Sequence, residues 1–292
     1  MKLKKMLALT MAGLLAAGLT ANTSAAPAAE STEAAGAPDG DSDPTTLTVA
    51  MECAYAPYNW TQSDDSNGAV AIRGSSDYAY GYDVMMAKKI GEALGQQVQI
   101  VKLDWDSLIP AVMTGDVDCV IAGQSITAER AAQVDFSDPY YYASIITLTK
   151  KDSAYASAAS VADLAGATAT SQLGTIWYDT CLPQIENANI LPAQETAPAM
   201  LVALSSGACD IVVTDRPTAQ AALVAYPDFT LLDFGGGDSD FKVSEEDINI
   251  GISMKKGNTA LQSAINEVLS TMTADDYNAM MDDAISVQPL SE

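Results

Sequence analysis

Short apolar segments alternate with amphipathic helical patterns along most of this chain, and the alternation restricts the fold more than any other feature. Residues 47–51 and 98–103 have the length and composition of buried strands. Between them, Val84, Ala87 and Ile90 recur at the spacing of one helix face. Strands that alternate with helices pair mainly in parallel, with the helices covering the sheet. The sequence therefore predicts an α/β fold with largely parallel sheets.

A weak internal repeat indicates two lobes of similar design. Residues 111–121 can be laid over residues 203–213, because each stretch has the end of a helix, a glycine, an acidic residue and an apolar strand. Two further apolar strands, at residues 144–148 and 248–254, would cross between the lobes. Two crossings make a hinge, and a cleft between hinged lobes is a favoured place for a small ligand.

The N-terminus has the pattern of an export signal. Lys2, Lys4 and Lys5 precede an apolar stretch that is shorter than the roughly 20 residues of a membrane-spanning helix. A retained N-terminal anchor is the alternative interpretation. Leu19 stands where a lipoprotein needs its lipid-bearing cysteine, so the segment has no lipobox cysteine. These features predict an extracytoplasmic protein, periplasmic or at the cell surface.

The patterns divide the chain into four parts. They are a signal peptide (residues 1–25), a disordered spacer (26–44), lobe 1 (45–145, completed by 251–292) and lobe 2 (146–250). The spacer contains small, polar and acidic residues without large apolar side chains. It therefore cannot bury enough surface to offset the entropy of ordering it.

Composition excludes several kinds of partner and chemistry. The formal net charge is −24, and a polyanion of this size is repelled by nucleic acid and by anionic lipid headgroups. The sequence has no histidine, which removes the commonest general base and a common metal ligand. Its four cysteines are scattered, without a C-x-x-C pair, so we expect no metal site and no cofactor. Which of them form disulfides cannot be deduced from the sequence.

Polar and aromatic residues follow several of the predicted strands. Glu52 and Tyr55 come directly after the first strand, and Gly123 and Ser125 follow the strand at residues 118–122. Ligands of open α/β sheets bind at the carboxyl ends of the strands. We therefore expect these residues to lie at a ligand site.

Arg130 is the sharpest single indication of the ligand's chemistry. Thr127 is a good helix N-cap, which places Arg130 in a first turn, where the helix dipole disfavours a cation. A bound anion would reverse that penalty, and a guanidinium can hold a carboxylate through two hydrogen bonds. A surface ion pair is the alternative interpretation of Arg130.

Two positions in the second half complete a site for a zwitterion. Thr175 follows Gly174 in a tight loop that opens a helix, and it offers a hydroxyl to the same carboxylate. Asp215 ends a strand and would face an ammonium group. Each feature is ordinary alone, but together with Arg130 they predict a ligand that carries both charges.

The ordered set of motifs resembles family 3 of the bacterial extracellular solute-binding proteins, the polar amino-acid receptors of ABC importers. Residues 55–58 look like the family's aromatic-x-Pro-aromatic turn, and residues 81–84 look like its Gly-Phe-Asp-Val element. Residues 125–130, followed by Asp-Phe-Ser at 135–137, are similar to the family's most specific stretch. The resemblance covers nearly the whole chain after residue 47.

This resemblance implies a periplasmic-binding-protein-like fold, with the ligand cleft between two α/β lobes. It implies a small amino acid as ligand and the membrane subunits of an ABC importer as partner, with the chain itself expected to be a monomer. Tyr55 and Tyr82 would sandwich the ligand side chain. Glu52 would reach toward that side chain, where a carboxylate favours a basic or polar amino acid.

The resemblance also assigns the two charged ends of the amino acid. Arg130, Ser125 and Thr175 would hold the α-carboxylate. Asp215 and the backbone at Gly123 would take the α-ammonium group.

An enzyme on the same scaffold is the alternative function, for instance a secreted dehydratase acting on a carboxylated cyclohexadienyl substrate. Such chemistry needs a carboxylic acid with a raised pKa, and Glu52 is the only obvious candidate. Asp215 suits an ammonium group, and every polar site residue has a binding role. We therefore expect a binding protein and not an enzyme. A sensor input module, the third interpretation, would need a membrane segment and a signalling domain further along the chain.

Overall fold

The computed structural model describes residues 44–289. The predicted signal peptide and nearly all of the predicted spacer lie outside these residues. The described strands are β1 (Thr46–Met51), β2 (Ala54–Tyr55), β3 (Asn59–Gln62), β4 (Val70–Ala71), β5 (Tyr78–Tyr80), β6 (Gln97–Lys102), β7 (Cys119–Val120), β8 (Asp135–Phe136), β9 (Tyr141–Tyr142), β10 (Ile145–Lys150), β11 (Thr168–Thr170), β12 (Asn189–Ile190), β13 (Ile211–Asp215), β14 (Phe229–Leu232), β15 (Asn249–Ile250) and β16 (Ser253–Met254).

The α-helices cover the sheets and follow the apolar periodicity of the sequence. In the described residues they are α1 (Tyr82–Leu94), α2 (Leu108–Thr114), α3 (Ala128–Ala131), α4 (Ala197–Ser205), α5 (Arg216–Ala225), α6 (Glu245–Ile248), α7 (Thr259–Ser270) and α8 (Ala274–Val287). Val84, Ala87 and Ile90 of α1 are buried, as their spacing predicts. None of the helices within residues 44–289 has the length and apolar character required to cross a membrane.

Lobe 1 is built on a five-stranded sheet with the order β6-β1-β7-β16-β8. Strand β1 lies parallel to both neighbours, so that Val49 is in register with Ile100 on one side and with Cys119 on the other. Strand β16 runs antiparallel to β7 and β8. The sheet is covered by helices, which explains why β1 is an almost continuous apolar run.

Lobe 2 is built on a second five-stranded sheet, with the order β12-β11-β13-β10-β14. Strand β11 is parallel to β12 and β13, whereas β10 is antiparallel to β13 and β14. The two stretches that align in the sequence end in β7 and β13, and these strands take the same place in the two sheets. The predicted α/β fold with two similar lobes is confirmed.

The lobes are joined by a small two-stranded sheet. Tyr142 of β9 pairs with Asn249 of β15, and Tyr141 pairs with Ile250, in antiparallel register. The strands that the sequence analysis identified as crossings, near residues 145 and 253, lie just beyond this pair and belong to the sheets of lobe 2 and lobe 1. The connection between lobes is therefore short and doubled, as expected for a hinge.

A four-stranded antiparallel sheet, β2-β3-β5-β4, lies between β1 and α1. The sequence analysis read this region as an aromatic turn followed by a helix start, and the sheet itself was not predicted. Helix α1 begins at Tyr82 with Gly81 as its N-cap, so Asp83 lies inside the first turn. This sheet holds Tyr55 at the edge of the cleft.

Candidate functional site

The candidate site is a narrow cavity of about 10 Å³ between the two lobes. Loops that follow β1, β6 and β7 supply its lobe 1 wall, and the turn and helix that follow β11 supply its lobe 2 wall. The lining side chains come from both lobes and are Tyr55, Trp105, Gly123, Ser125, Arg130, Gln172, Thr175, Ile176 and Trp177. Five of the eight site residues predicted from sequence are among them. Glu52 and Asp215 do not line the cavity, but each forms a hydrogen bond with a lining residue. Tyr82 lies elsewhere.

Arg130 crosses the cleft with its guanidinium group. Thr127 caps α3 by accepting a hydrogen bond from the Arg130 N–H (3.2 Å), as predicted. The guanidinium donates one bond to the Ser125 carbonyl oxygen (2.9 Å) and another to the Gly174 carbonyl oxygen of lobe 2 (2.9 Å). It lies 5.3 Å from the centre of the Trp105 ring. Burial lowers the pKa of Arg130, yet a guanidinium keeps its charge in proteins. Arg130 therefore places a permanent positive charge in the lining of the narrow cavity.

Asp215 supplies a buried carboxylate from the opposite lobe. It is the N-cap of α5, and its oxygens accept hydrogen bonds from the backbone N–H and the hydroxyl of Thr218, both at 2.9 Å. The Tyr55 hydroxyl donates to the same carboxylate across the cleft. Burial raises the pKa of Asp215 above its usual range, and the Thr218 and Tyr55 bonds oppose that shift. A cation at this position would satisfy the buried charge.

Glu52 forms a second polar contact across the cleft. The Gln172 amide donates to its carboxylate oxygens at 3.1 and 3.3 Å. Burial raises the pKa of Glu52 to about 7, Asp104 adds to the shift, and Gln172 and Lys102 oppose it. With a pKa of about 7, the Glu52 carboxyl group is about half ionised at neutral pH, and a positively charged ligand group would favour its ionised form.

Gly123 is required by a close approach. Its φ of 64° is left-handed, and a side chain would place a Cβ 2.9 Å from the Tyr55 ring. Tyr55 therefore lies directly on the backbone after β7, and the ring stacks on Tyr58 at 5.0 Å between centroids. Gly123 lines the cavity beside this ring.

A buried hydrogen-bond network holds these lobe 1 loops together. Asp83 accepts bonds from the Tyr140 hydroxyl (2.6 Å) and from the Asn59 amide (2.7 Å). The Tyr140 hydroxyl accepts a hydrogen bond from the N–H of Gly123 (3.0 Å), and the side-chain Oδ1 of Asn59 accepts one from the N–H of Cys53 (2.7 Å). The loops after β1 and β7 are thus connected through one carboxylate. Burial raises the pKa of Asp83 to about 7, against the effect of both hydrogen bonds.

Tyr82 does not lie in the cleft. Its side chain is fully buried, and its hydroxyl donates to the Tyr140 carbonyl oxygen (2.7 Å). Its ring packs on Tyr140 and on the edge of Tyr58, one ring further from the cavity than Tyr55. The expectation that Tyr82 sandwiches a ligand is therefore not supported, because the four-stranded sheet places it beneath the site.

Trp105 occupies the place that Tyr82 was expected to fill. It lines the cavity with Tyr55, and its indole N–H donates to the Gly174 carbonyl oxygen across the cleft (3.3 Å). The signal for it was present, because Trp105 follows β6 and a ligand site lies at the carboxyl ends of strands. The sequence analysis did not single out this residue, and it did not predict the contact between Gln172 and Glu52.

The cleft widens outward into a larger cavity of about 600 Å³. Arg130, Trp105 and Thr175 form its inner end. Carboxylates line its outer part, and these belong to Asp106, Glu129, Asp179 and Asp247. A ligand that approaches the narrow cavity from this side crosses a strongly negative region. Among residues 44–289, no group of three cysteine or carboxylate side chains is placed to hold a metal ion.

The four cysteines are all buried and free. Burial raises the pKa of each thiol well above its ordinary value, to about 12 for Cys53 and Cys209. Their thiols are therefore protonated and unreactive at neutral pH. The sequence left their pairing open, and the structure places them in the core as separate small apolar side chains.

Two α/β lobes with a cleft between them, a guanidinium group on one side and a buried carboxylate on the other, are the arrangement of a ligand-binding protein. The family model described as bacterial extracellular solute-binding proteins, family 3, matches residues 47–284. The chain belongs to this family, and the resemblance inferred from its motifs is confirmed.

Relatives and solved structures agree with this assignment. The arginine-binding extracellular protein ArtP of Bacillus subtilis is 34% identical over 130 residues, which are 44% of this chain and 45% of ArtP. A probable histidine-binding protein of Campylobacter jejuni is 30% identical over 63% of this chain and 66% of its own length. A truncated, arginine-bound ArgBP from T. maritima is 29% identical, with a TM-score of 0.61 over 78% of this chain and 97% of that chain. This chain thus spans less than half of ArtP, and the relatives named are amino-acid-binding proteins rather than enzymes.

Proposed function

We propose that this protein captures a free amino acid between its lobes, outside the cytoplasm, and delivers it as a monomer to the membrane subunits of an ABC importer. The observation that carries this proposal is the pairing of Arg130 and Asp215. They come from opposite lobes, and both contact residues of one narrow cavity. A guanidinium at one side and a carboxylate at the other match the two ends of a zwitterion.

Binding would exchange one set of hydrogen bonds for a stronger one. The Arg130 guanidinium now donates to the neutral carbonyl oxygens of Ser125 and Gly174, and the Asp215 carboxylate accepts from the neutral Tyr55 hydroxyl. A ligand carboxylate and ammonium would replace these with charge-assisted bonds, which are about twice as strong. Because a cavity of about 10 Å³ has room for little more than one water molecule, the lobes must separate before an amino acid can bind.

Trp105 and Tyr55 are the aromatic residues that we assign to the ligand side chain. Both line the cavity, and both donate a hydrogen bond to the opposite lobe. Closure of the lobes would bring these two rings and their lobe 2 partners together around a ligand. A ligand that contacts both lobes therefore favours the closed arrangement over the open one.

A basic amino acid is the ligand class that the charges favour. The Glu52 carboxylate accepts hydrogen bonds from Gln172, which lines the cavity, and its pKa is about 7. A ligand cation beside Glu52 would stabilise its ionised form. The carboxylates of the outer cleft add an attractive field for a cation on its way in. Similar proteins named for arginine and histidine support this assignment.

Titration of ligand-stripped, refolded protein against the twenty amino acids and cystine tests the proposal. We expect one-to-one binding, with arginine or another basic amino acid tightest. Glu52→Gln should weaken the binding of arginine at least tenfold and the binding of glutamine less than threefold. Glu186→Gln, which changes an exposed carboxylate of lobe 2, is the matched control. If no amino acid binds, the proposed function is wrong; if Glu52→Gln weakens arginine and glutamine equally, the assignment of Glu52 is wrong.

We also propose that the cleft has no catalytic activity. The raised pKa of Glu52 would suit a general acid, so this residue is the one feature that fits the enzyme alternative. Its carboxylate is held by the Gln172 amide, however, and the other polar lining groups have binding roles. Ultraviolet assays of a prephenate-like substrate should show no turnover; turnover that is lost in Glu52→Gln would reverse this conclusion.

A further inference from the structure

A second space of about 300 Å³ lies between the lobes, separate from the candidate site. We call it the interlobe groove. Its lobe 1 wall is formed around β2 and β3 and includes Trp60, and its lobe 2 wall is formed by α4 and α5 and includes Leu201 and Ala225. Gln288 and Pro289 also line it. None of its lining residues lines the narrow cavity that contains Arg130.

The groove is mainly apolar. Alanines of α5 leave the space open, and Leu201, Tyr226 and the buried Trp60 surround it. A volume of about 300 Å³ is at the lower end of small-molecule pockets. Each methylene group that a ligand buries there would contribute about 0.8 kcal/mol. The shape and lining therefore fit a short aliphatic chain or a single aromatic ring.

Lys102 gives the groove a charge preference, because it is the one charged side chain among the lining residues. Its ammonium donates a hydrogen bond to the Thr61 hydroxyl (3.0 Å), which also lines the groove. Within residues 44–289, the ion pairs closer than 4.0 Å are Arg216–Asp233 and Lys242–Asp238. The Lys102 ammonium therefore has no carboxylate within 4.0 Å in this part of the chain, although it lies near enough to Glu52 to favour its ionised form. In a chain with a formal charge of −24, such a cation beside an apolar space favours an anionic ligand group.

We propose that the interlobe groove binds a small amphipathic carboxylate, with its aliphatic or aromatic body against α4 and α5 and its carboxylate at Lys102. Because the walls come from both lobes, the ligand stabilises their closed arrangement. The groove is also connected to the candidate site. Thr218 lines it and bonds to Asp215, and Cys53 lines it directly after Glu52. A ligand in the groove therefore raises amino-acid affinity, and an amino acid raises affinity for the groove ligand by the same factor.

Octanoate is the probe for the test, with octanol as its uncharged counterpart. We expect saturable one-to-one binding of octanoate by calorimetry, together with a change in tryptophan fluorescence. Ala225→Phe, at a half-buried position at the end of α5, should fill the groove and weaken octanoate at least tenfold. Lys102→Gln should weaken the binding of octanoate about tenfold and that of octanol less than twofold. Lys89→Gln on α1 should change neither affinity. Thermal unfolding of each variant shows that it is folded.

The outcomes separate the groove from the candidate site. No saturable octanoate binding, or binding that Ala225→Phe and Lys102→Gln leave unchanged, overturns the proposal. Competition between octanoate and the amino acid also overturns it, because it places the probe in the narrow cavity. Binding at the groove without any change in amino-acid affinity overturns the coupling between the two sites. These results do not depend on which amino acid binds, so they can fail while the proposed function holds.

Discussion

Lobe 1 and lobe 2 share one sheet design but present different faces to the cleft. In each sheet one strand runs opposite to the others, β16 in lobe 1 and β10 in lobe 2, and each is reached just after the chain crosses the hinge. The faces differ because lobe 1 inserts the four-stranded sheet between β1 and α1. Lobe 2 passes from β11 through a tight turn into the irregular helical segment Trp177–Cys181.

The difference affects how each lobe holds its site residues. Lobe 1 fixes its loops through Asp83, a buried carboxylate that connects Asn59 to Tyr140. Lobe 2 holds Asp215 as the N-cap of α5, through local bonds to Thr218. Equal topology therefore does not imply that the two lobes hold their site residues by the same hydrogen bonds. We infer that lobe 1 is the preformed face of the site and that lobe 2 completes it upon closure.

Arg130→Ala gives the largest expected effect. Removal of the guanidinium should weaken amino-acid binding at least a hundredfold, about 3 kcal/mol, because the ligand carboxylate loses its charged partner. The melting temperature should stay within a few degrees of the original. Arg216→Ala is the control, since Arg216 is partly exposed and pairs with Asp233. Affinity retained within threefold would contradict the carboxylate assignment.

Asp215→Asn should weaken binding about thirtyfold, or roughly 2 kcal/mol. The ammonium group loses its counter-charge, but asparagine remains a good N-cap for α5. Because burial disfavours the ionised Asp215, the free energy of unfolding should not decrease. Calorimetric titration and thermal unfolding measure both effects, with Asp233→Asn as control. A large loss of stability would show that lobe 2 also depends on a buried network.

Tyr140→Phe tests the network of lobe 1. It removes the hydroxyl that Asp83 and Gly123 share, and it should lower the free energy of unfolding by about 1–3 kcal/mol. Amino-acid affinity should fall only a fewfold. Tyr142→Phe, at an exposed tyrosine of β9, should be near neutral. Urea unfolding of both variants decides whether the network matters, and equal stabilities would remove the contrast between the lobes.

The pH dependence of stability gives the smallest effect. Folding raises the pKa of Glu52 from 4.5 to about 7, so the folded protein retains a proton that the unfolded chain releases above pH 4.5. This stabilisation is complete below pH 4.5 and is lost as the pH rises through about 7. Glu52 should therefore reduce stability by about 1 kcal/mol between pH 5.5 and 6.5.

Glu52→Gln should remove the contribution of Glu52 to the pH dependence of stability. The contribution of Asp83, whose pKa is also about 7, should remain. Urea unfolding at the two pH values measures the slope. Glu186→Gln should keep the original slope. A Glu52→Gln slope identical to the original would show that Glu52 is not held protonated in the closed cleft.

Local sequence patterns predicted the order of the elements and much of the site. The apolar runs located β1 and β6 within one residue, and Thr127 correctly predicted the cap that places Arg130. The exchange of Tyr82 for Trp105 could not be predicted locally. Both are aromatic residues near the start of a helix, and only the packing of Tyr82 on Tyr140 decides that it is buried. The Glu52–Gln172 contact joins residues 120 positions apart, so no local pattern contains it.

Because β9 pairs with β15, lobe 2 could be replaced as a unit by the corresponding lobe of a related protein. The chain enters it after Tyr142 and leaves it at Asn249, and these residues are partners in register, so the two junctions lie only about 5 Å apart. A chimera with lobe 2 of another family member would therefore need just two splice points, both in the same small sheet. It would carry a new partner for the ligand ammonium group while Arg130 and Trp105 remain in place.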